Sequence, residues 1–218
     1  MASQIKHIQD EIFVVDNLIP RSYQEAIIQR LQGAEHFPWF AIHRVGAPAF
    51  FPRGTTPNYV DTKITDDVGF FHMVHDGEKI SPYYDLFRAV LEFYAEKFDK
   101  EIVEILRIRL RYTHTSVGHD ETKYAAPHID FPSTNGYTTL LYYIDDSDGD
   151  TILFDKLFNP EVEEFDPILK DPVLEVFRYT PTKGNALIFN GHRYHAGNYP
   201  IKNSARIVAN FDFIARDL

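Results

Sequence analysis

The 218-residue sequence contains no cysteine, and this absence excludes several kinds of site at once. Disulfide bonds, thiolate metal ligands and cysteine nucleophiles are all ruled out. No apolar run approaches the roughly 18 residues that a membrane-spanning helix needs, and residues 1–10 lack the apolar core of a secretory signal. We therefore expect a soluble, cytoplasmic protein with no membrane partner.

Basic residues are in the minority, with 22 Lys and Arg against 32 Asp and Glu, which gives a formal net charge of −10. Such a field repels a phosphate backbone, so we expect no nucleic-acid partner. Hydrophobic residues make up 44% of the chain and aromatic residues 15%. These proportions are typical of a folded, aromatic-rich globule rather than of a disordered chain.

The first hundred residues contain signals for one strand and two helices. Residues 11–16 form a β-rich run and predict the first strand. Residues 22–33 open with a Ser-x-x-Glu capping box and close with a glycine, which predicts a short helix. Residues 81–98 begin with Ser-Pro and carry apolar residues at helical spacing, which predicts the longest helix. Residues 36–77 predict irregular structure with short strands.

After Lys100 the hydrophobic period changes from helical to two, which predicts strands. Apolar residues from Leu106 to Tyr112 alternate with Arg107, Arg109 and Arg111. These arginines either form a solvated or ion-paired outer face or place one member in a substrate pocket. Further strands are predicted at 137–144, 151–154, 173–179, 185–190 and 205–214. Many short strands without intervening helices indicate a sandwich or a jelly-roll barrel.

Two segments distant along the chain carry residues that suit a metal ion. His128 and Asp130 form the only His-x-Asp in the sequence, and in a strand such residues project to the same side. A third ligand would come from His192 or His195, in a predicted loop, and we favour His195 because the turn after it leads to Arg206. Two histidines and one carboxylate leave coordination positions open, as in non-haem iron oxygenases.

Arg206 supplies a cation for an anionic co-substrate beside that metal. The alternation of the predicted strand sends Arg206, Val208 and Asn210 to one face. A guanidinium group can hold a carboxylate through two parallel hydrogen bonds. Taken singly, each of these residues has an ordinary alternative role, as a surface histidine or a buried ion-pair partner. Their order along the chain favours a joint site.

From Arg109 to Phe213 the sequence resembles the 2-oxoglutarate- and iron(II)-dependent oxygenases, particularly the prolyl 4-hydroxylase-like branch. The resemblance rests on an ordered series: a tyrosine-bearing strand, His-x-Asp, Thr-x-x-x-Tyr, a Gly-x-Thr-x-Phe-type element, and a histidine followed by an arginine. In this sequence they are Tyr112, His128 with Asp130, Thr139 with Tyr143, residues 148–154, and His195 with Arg206. The chain departs from the family pattern at Asp148, which replaces the first glycine of a usual pair.

The resemblance implies a mainly β, α+β fold, with a double-stranded β-helix (jelly-roll) core at residues 101–218. Residues 1–100 would support this core within a single domain, 1–218. Fe(II) would be held by His128, Asp130 and His195. The co-substrates would be O₂ and 2-oxoglutarate, the latter held by Arg206 with Tyr143, Thr139 and Tyr112. The implied activity is hydroxylation of an unactivated C–H bond, with peptidyl proline as the first substrate to consider.

Two other functions fit the same residues. A cupin-like metal enzyme would use His128, His192 and His195 without a keto acid. A catalytically silent interaction module would keep the oxygenase shape without turnover. Loops 114–126 and 155–172 are candidate substrate lids, and their acidity favours a peptide or a small cationic substrate over a nucleotide.

Overall fold

The computed structural model describes residues 4–32, 36–42, 69–115, 120–132, 134–165 and 173–218. This part of the chain forms eleven strands and two helices. In chain order they are β1 (Ile5–Gln9), β2 (Ile12–Val15), α1 (Arg21–Gln32), β3 (Phe40–Ile42), β4 (Gly69–Asp76), α2 (Tyr84–Phe98), β5 (Lys100–His114), β6 (Thr138–Tyr143), β7 (Thr151–Leu157), β8 (Glu175–Tyr179), β9 (Ala186–Asn190), β10 (Arg193–Gly197) and β11 (Ala205–Asp217).

The strands form two antiparallel sheets that face each other. The larger sheet has the order β1-β2-β9-β6-β11-β5-β4-β3, and the smaller has the order β10-β7-β8. Apolar side chains from both sheets form one buried cluster between them, with Leu141 and Val208 from the larger sheet and Leu153 from the smaller. The fold is thus mainly β with a jelly-roll core, which confirms the predicted fold class.

The two helices cover the outer face of the larger sheet. Ile27 of α1 and Phe87 and Leu91 of α2 are buried in one cluster with Leu110 of β5 and Phe211 of β11. Because side chains alternate across a strand, the residues between these apolar positions point to the other face, toward the smaller sheet. The functional side chains of β5 and β11 therefore face the space between the sheets.

The two helices occur where they were predicted, but their first residues differ. α1 begins at Arg21, so Ser22 lies inside the first turn instead of capping it. The predicted stop at Gly33 falls outside the described residues. α2 begins at Tyr84, and Ser81 Oγ accepts a hydrogen bond from the Tyr83 N–H (3.1 Å) in the turn before it. With 15 residues α2 is the longer helix, and neither helix is long and apolar enough to cross a membrane.

Two strands, β1 and β10, were not predicted. β1 is exposed along its whole length at the sheet edge, so its sequence carries no buried face. β3 and β4 lie in the region for which irregular structure with short strands was predicted. β10 forms where a loop with two histidines was expected. β7 continues to Leu157, so the loop predicted to begin at residue 155 starts later.

Candidate metal and co-substrate site

His128, Asp130 and His195 meet in the space between the two sheets. One potential ligand atom from each lies within 4.8 Å of the others. His195 lies on β10, and His128 pairs with it through two backbone hydrogen bonds, His128 N to His195 O (2.9 Å) and His195 N to His128 O (3.0 Å). The His-x-Asp pair thus lies on a single bridge followed by a bend, and the regular strand predicted for it is not formed.

The backbone fixes the protonated nitrogen of each imidazole ring. Nδ1 of His128 lies 2.9 Å from the carbonyl oxygen of Ala126, and Nδ1 of His195 lies 3.1 Å from that of Arg193. A carbonyl oxygen only accepts, so Nδ1 carries the proton in both rings and Nε2 keeps its lone pair. Burial, followed by the nearby His195, lowers the pKa of His128 to about 3, and burial also lowers the pKa of His195. Both rings are therefore neutral, as metal ligands must be.

Asp130 is held ionised by the groups around it. Burial alone would raise its pKa, but the nearby arginines, above all Arg107, outweigh that effect and hold the pKa well below its ordinary value. Arg107 Nη2 lies 2.5 Å from Oδ1, and Asn210 Nδ2 donates to Oδ2 (3.0 Å). Arg107 also contacts Asp212 (2.9 Å), which accepts a hydrogen bond from the Thr139 hydroxyl (2.9 Å). Asp130 is thus oriented by a buried polar network behind it.

Tyr137, which belongs to none of the functional motifs in the sequence, joins the His-x-Asp segment to the turn before β10. Its hydroxyl donates to the carbonyl oxygen of Gly191 (2.6 Å) and accepts from the N–H of Phe131 (3.0 Å). A Cβ on Gly191 would lie 2.1 Å from the Tyr137 ring, so only glycine fits there. The only sequence signal for this contact was the glycine itself, which is common in any turn.

His192 lies near these ligands but has a different role. Its Nε2 donates to the carbonyl oxygen of Thr134 (2.6 Å), and its ring packs edge-on against Tyr137 and Phe158. The cluster of potential ligand atoms found among the described residues includes His195 and does not include His192. The cupin-like alternative, which needs His192 as a ligand, therefore has no geometric support.

Arg206 lines the same pocket as the two histidines. It is 7% exposed, and its Nη2 donates to Thr151 Oγ1 (2.7 Å), which also accepts from the Tyr143 hydroxyl (2.8 Å). A Cβ on Gly149 would lie 2.9 Å from Arg206 Cδ, so the glycine leaves room for the guanidinium stem. Burial lowers the pKa of Arg206, and its Nε has no hydrogen-bond partner in the described structure.

Of the other predicted co-substrate residues, the structure brings only Tyr143 to Arg206. The Arg206 guanidinium lies 6.0 Å from the centre of the Tyr143 ring. Thr139 lies further along the sheet, opposite Asp212 in the register of β6 and β11. Tyr112 points to the other face of β5, where its ring packs against Trp39 and Phe70. Neither Thr139 nor Tyr112 lines the pocket that Arg206 shares with the two histidines, and for Tyr112 the reason is the strand alternation.

The three arginines of β5 all face the space between the sheets. Arg107 forms the ion pairs described above, while Arg109 and Arg111 line the pocket. Burial, then repulsion from the neighbouring arginines, lowers the pKa of Arg109 to about 9, and burial lowers that of Arg111 to about 10. Of the two alternatives drawn from the sequence, the solvated outer face is therefore wrong. The buried Ile108 and Leu110 between them fix this orientation.

Comparison with known proteins yields similarity in structure only. No family model and no curated protein matches the sequence. The α-ketoglutarate-dependent epimerase SnoN of nogalamycin biosynthesis superposes with a TM-score of 0.56 at 12% identity, over 94% of this chain and 80% of that one. A Trichoplax adhaerens prolyl hydroxylase, solved with a peptide of hypoxia inducible factor, gives 0.54 at 13% identity, over 94% and 84%.

A third solved structure is an oxidoreductase of the 2OG-Fe(II) oxygenase family from Burkholderia pseudomallei. It superposes with a TM-score of 0.55 at 11% identity, over 87% of this chain and 78% of that one. At such identities the similarity concerns the fold alone. The chain has the fold of the 2-oxoglutarate- and iron(II)-dependent oxygenases, as its order of motifs indicated.

Proposed function

We propose that this chain is a 2-oxoglutarate- and Fe(II)-dependent oxygenase that hydroxylates an unactivated C–H bond. The observation that carries the proposal is a single pocket with two kinds of binding group. His128 and His195, beside the ionised Asp130, offer a metal site, and Arg206 offers a buried cation. A keto acid chelated to a metal through one end keeps a free carboxylate at the other, which an arginine can bind. The shared fold supports the proposal.

The donor set fits Fe(II) on three counts. It contains two imidazole nitrogens and one carboxylate, which suit a first-row divalent metal that keeps open positions. The lone pairs of both Nε2 atoms are free because both Nδ1 atoms donate to backbone carbonyls. The two imidazoles need lose no proton on binding, because burial already keeps them neutral. The orphaned Nε of Arg206 is a donor left for a ligand.

The residues of the chain position and shield the reactants in this proposal. The metal and 2-oxoglutarate, when bound, would supply the oxidising chemistry with O₂. The backbone carbonyls that accept from the Nδ1 atoms keep the imidazole rings from turning away, and Arg107 fixes the carboxylate of Asp130. Thr151 orients the Arg206 fork. Apolar Leu141 and Val208 line the pocket and limit the access of water.

Peptidyl proline stays a candidate substrate within this proposal. It rests on the order of motifs that resembles the prolyl 4-hydroxylase-like branch. Two proteins with the same fold were solved with different molecules, a peptide in the Trichoplax enzyme and nogalamycin RO in SnoN. Because fold alone does not fix a substrate, prolyl peptides should be tested beside free amino acids and other small molecules.

Two measurements test the proposed function. The first is the visible absorption band that appears when 2-oxoglutarate chelates Fe(II) without oxygen. We expect this band in the wild type and in Arg216→Ala, an exposed cation of β11 paired with Glu101, and no band in His128→Ala. The second is the formation of succinate from 2-oxoglutarate in air. Metal binding without the band would favour a cupin-like enzyme, and the band without succinate would favour a silent module.

A further inference from the structure

The pocket and its walls contain more positive charge than the proposed metal and co-substrate neutralise. Four arginines and two aspartates lie there: Arg107, Arg109, Arg111, Arg206, Asp130 and Asp212. Fe(II) adds two positive charges and 2-oxoglutarate two negative charges, so these two cancel. With both aspartates ionised, an excess of two positive charges then remains among the described groups, and burial, followed by Asp130, raises the pKa of Asp212 to about 7, which can only increase this excess. Buried charges without a counter-ion are costly, so a further anion is expected.

The excess lies at Arg109 and Arg111. The nearest carboxylate oxygen to Arg109 is Asp130 Oδ1 at 3.7 Å, and that oxygen is already paired with Arg107 at 2.5 Å. The Arg111 side chain forms no ion pair or hydrogen bond with any described residue, although its backbone lies in the sheet between β4 and β11. Arg109 Nε and Arg111 Nη1 are buried donors without a hydrogen-bond partner there. Two guanidinium groups with spare donors therefore face one pocket.

The spacing of these side chains suits a single anionic group near the metal site. Residues two apart on a strand project to the same side about 7 Å apart, so two long guanidinium side chains can converge on one group. Both arginines line the same pocket as His128 and His195. An anion held by them would therefore share that pocket with a metal held by the two histidines.

We propose that Arg109 and Arg111 form a substrate-binding subsite for an anionic oxygen group, so that the substrate is a small molecule carrying a carboxylate or a phosphate. This inference rests on the proposed function. It selects against an internal prolyl residue of a peptide, because the peptide backbone around such a residue is neutral. It also departs from the small cationic substrate expected from the acidic loops, because the side chains that line the pocket are cationic.

The test uses wild-type protein saturated with Mn²⁺, which does not turn over, and with 2-oxoglutarate. Thermal midpoints are measured with sodium acetate, sodium phosphate or sodium chloride at constant ionic strength. We expect acetate or phosphate to raise the midpoint by roughly 3–6 °C at ten times its Kd. The effective anion assigns the substrate group as carboxylate or phosphate. The response should be lost in Arg111→Gln, partly kept in Arg111→Lys and fully kept in Arg216→Gln.

The same samples separate failure of this inference from failure of the proposed function. If Mn²⁺ and 2-oxoglutarate do not stabilise the wild type, the proposed function is wrong. If they stabilise wild type and Arg111→Gln alike, but neither anion acts more strongly on the wild type, the subsite is wrong. A structural role for Arg111 is checked with Arg111→Met in the absence of ligands. We expect its thermal midpoint to equal or exceed that of the wild type. A clear fall would mean that Arg111 stabilises the folded protein and is not reserved for a ligand.

Discussion

The two ends of the pocket differ in how many of their polar atoms already have hydrogen-bond partners within the protein. At the metal end, both Nδ1 atoms of His128 and His195 have backbone partners, and both carboxylate oxygens of Asp130 are bonded. At the arginine end, Arg109, Arg111 and Arg206 each keep a buried nitrogen without a hydrogen-bond partner in the described structure. Behind the metal ligands, Arg107 Nε and Asn210 Oδ1 also lack partners among the described residues. The contrast therefore concerns the groups that face a ligand: those of the metal end are held by the chain, and those of the arginine end have donors to spare.

This difference separates preorganisation from ligand recognition. The ligands of the metal end are held in place before any ion arrives, because their orientation depends on backbone carbonyls and on Arg107. The donors of the arginine end become satisfied only when anions bind, since buried polar groups need partners. Changes at the metal end should therefore disturb metal binding or folding, and changes at the arginine end should disturb the binding of anions.

The largest effect is expected from His195→Ala. We expect it to abolish metal-dependent turnover, with a loss of metal affinity beyond the roughly 10–100-fold that removal of an outer partner causes. The matched control is His192→Ala, because that ring bonds to Thr134 and not to the proposed ligand group. Titration with Mn²⁺ and metal analysis after gel filtration measure both variants. A stronger loss in His192→Ala would exchange the two assignments.

The next effect concerns stability at the metal end. Arg107→Met leaves Asp130 and Asp212 buried without their shared cation, which should lower the free energy of unfolding by about 3–5 kcal/mol. Arg111→Met, on the same face of β5, is the matched control and should cause no loss. Urea unfolding of the metal-free proteins measures both. Equal losses would remove the distinction between a partnered arginine and a spare one.

Arg206→Ala should weaken 2-oxoglutarate binding without unfolding the protein. A hydrogen bond between charged groups contributes about 1.5–3 kcal/mol, so the Kd for 2-oxoglutarate should rise roughly 10–100-fold. Arg206→Lys keeps the charge but loses the planar fork, so its Kd should lie between that of the wild type and that of Arg206→Ala. Calorimetric titration of the Mn²⁺ form measures the series. An unchanged Kd in Arg206→Ala would place the co-substrate carboxylate elsewhere, with Arg111 as the next cation to test.

The sequence predicted the β-rich core and the convergence of His128, Asp130 and His195 because both depend on local patterns. Alternation along β5 and β11 fixes which side chains share a face. The order of the ligands along the chain is typical of a known kind of site. The same alternation argues against a co-substrate role for Tyr112, since Tyr112 shares a face with Ile108 and Leu110 rather than with Arg111.

The remaining features depend on contacts that no local pattern reveals. Thr139 matches a motif by its spacing, yet register places it opposite Asp212 and so away from Arg206. Tyr137 bonds to Gly191 across a long stretch of chain. Whether the arginines of β5 face water or the interior was undecided, because both faces of a strand look equivalent until the helices cover one of them.

The smallest effect is expected from Tyr143→Phe. This variant tests whether the hydrogen bond from Tyr143 to Thr151 helps Arg206 to bind 2-oxoglutarate. The Tyr143 hydroxyl donates to Thr151 Oγ1 and does not itself line the pocket, so its loss should act on 2-oxoglutarate only through Thr151. One neutral hydrogen bond contributes about 1 kcal/mol, which predicts a rise in Kd of roughly fivefold. Tyr142→Phe is the control, because Tyr142 belongs to the cluster under the helices and should leave the Kd unchanged. If Tyr143→Phe lost as much affinity for 2-oxoglutarate as Arg206→Ala, the tyrosine would contact the co-substrate directly. The arginine end would then bind its ligand through more groups than the arginines with unpartnered nitrogens.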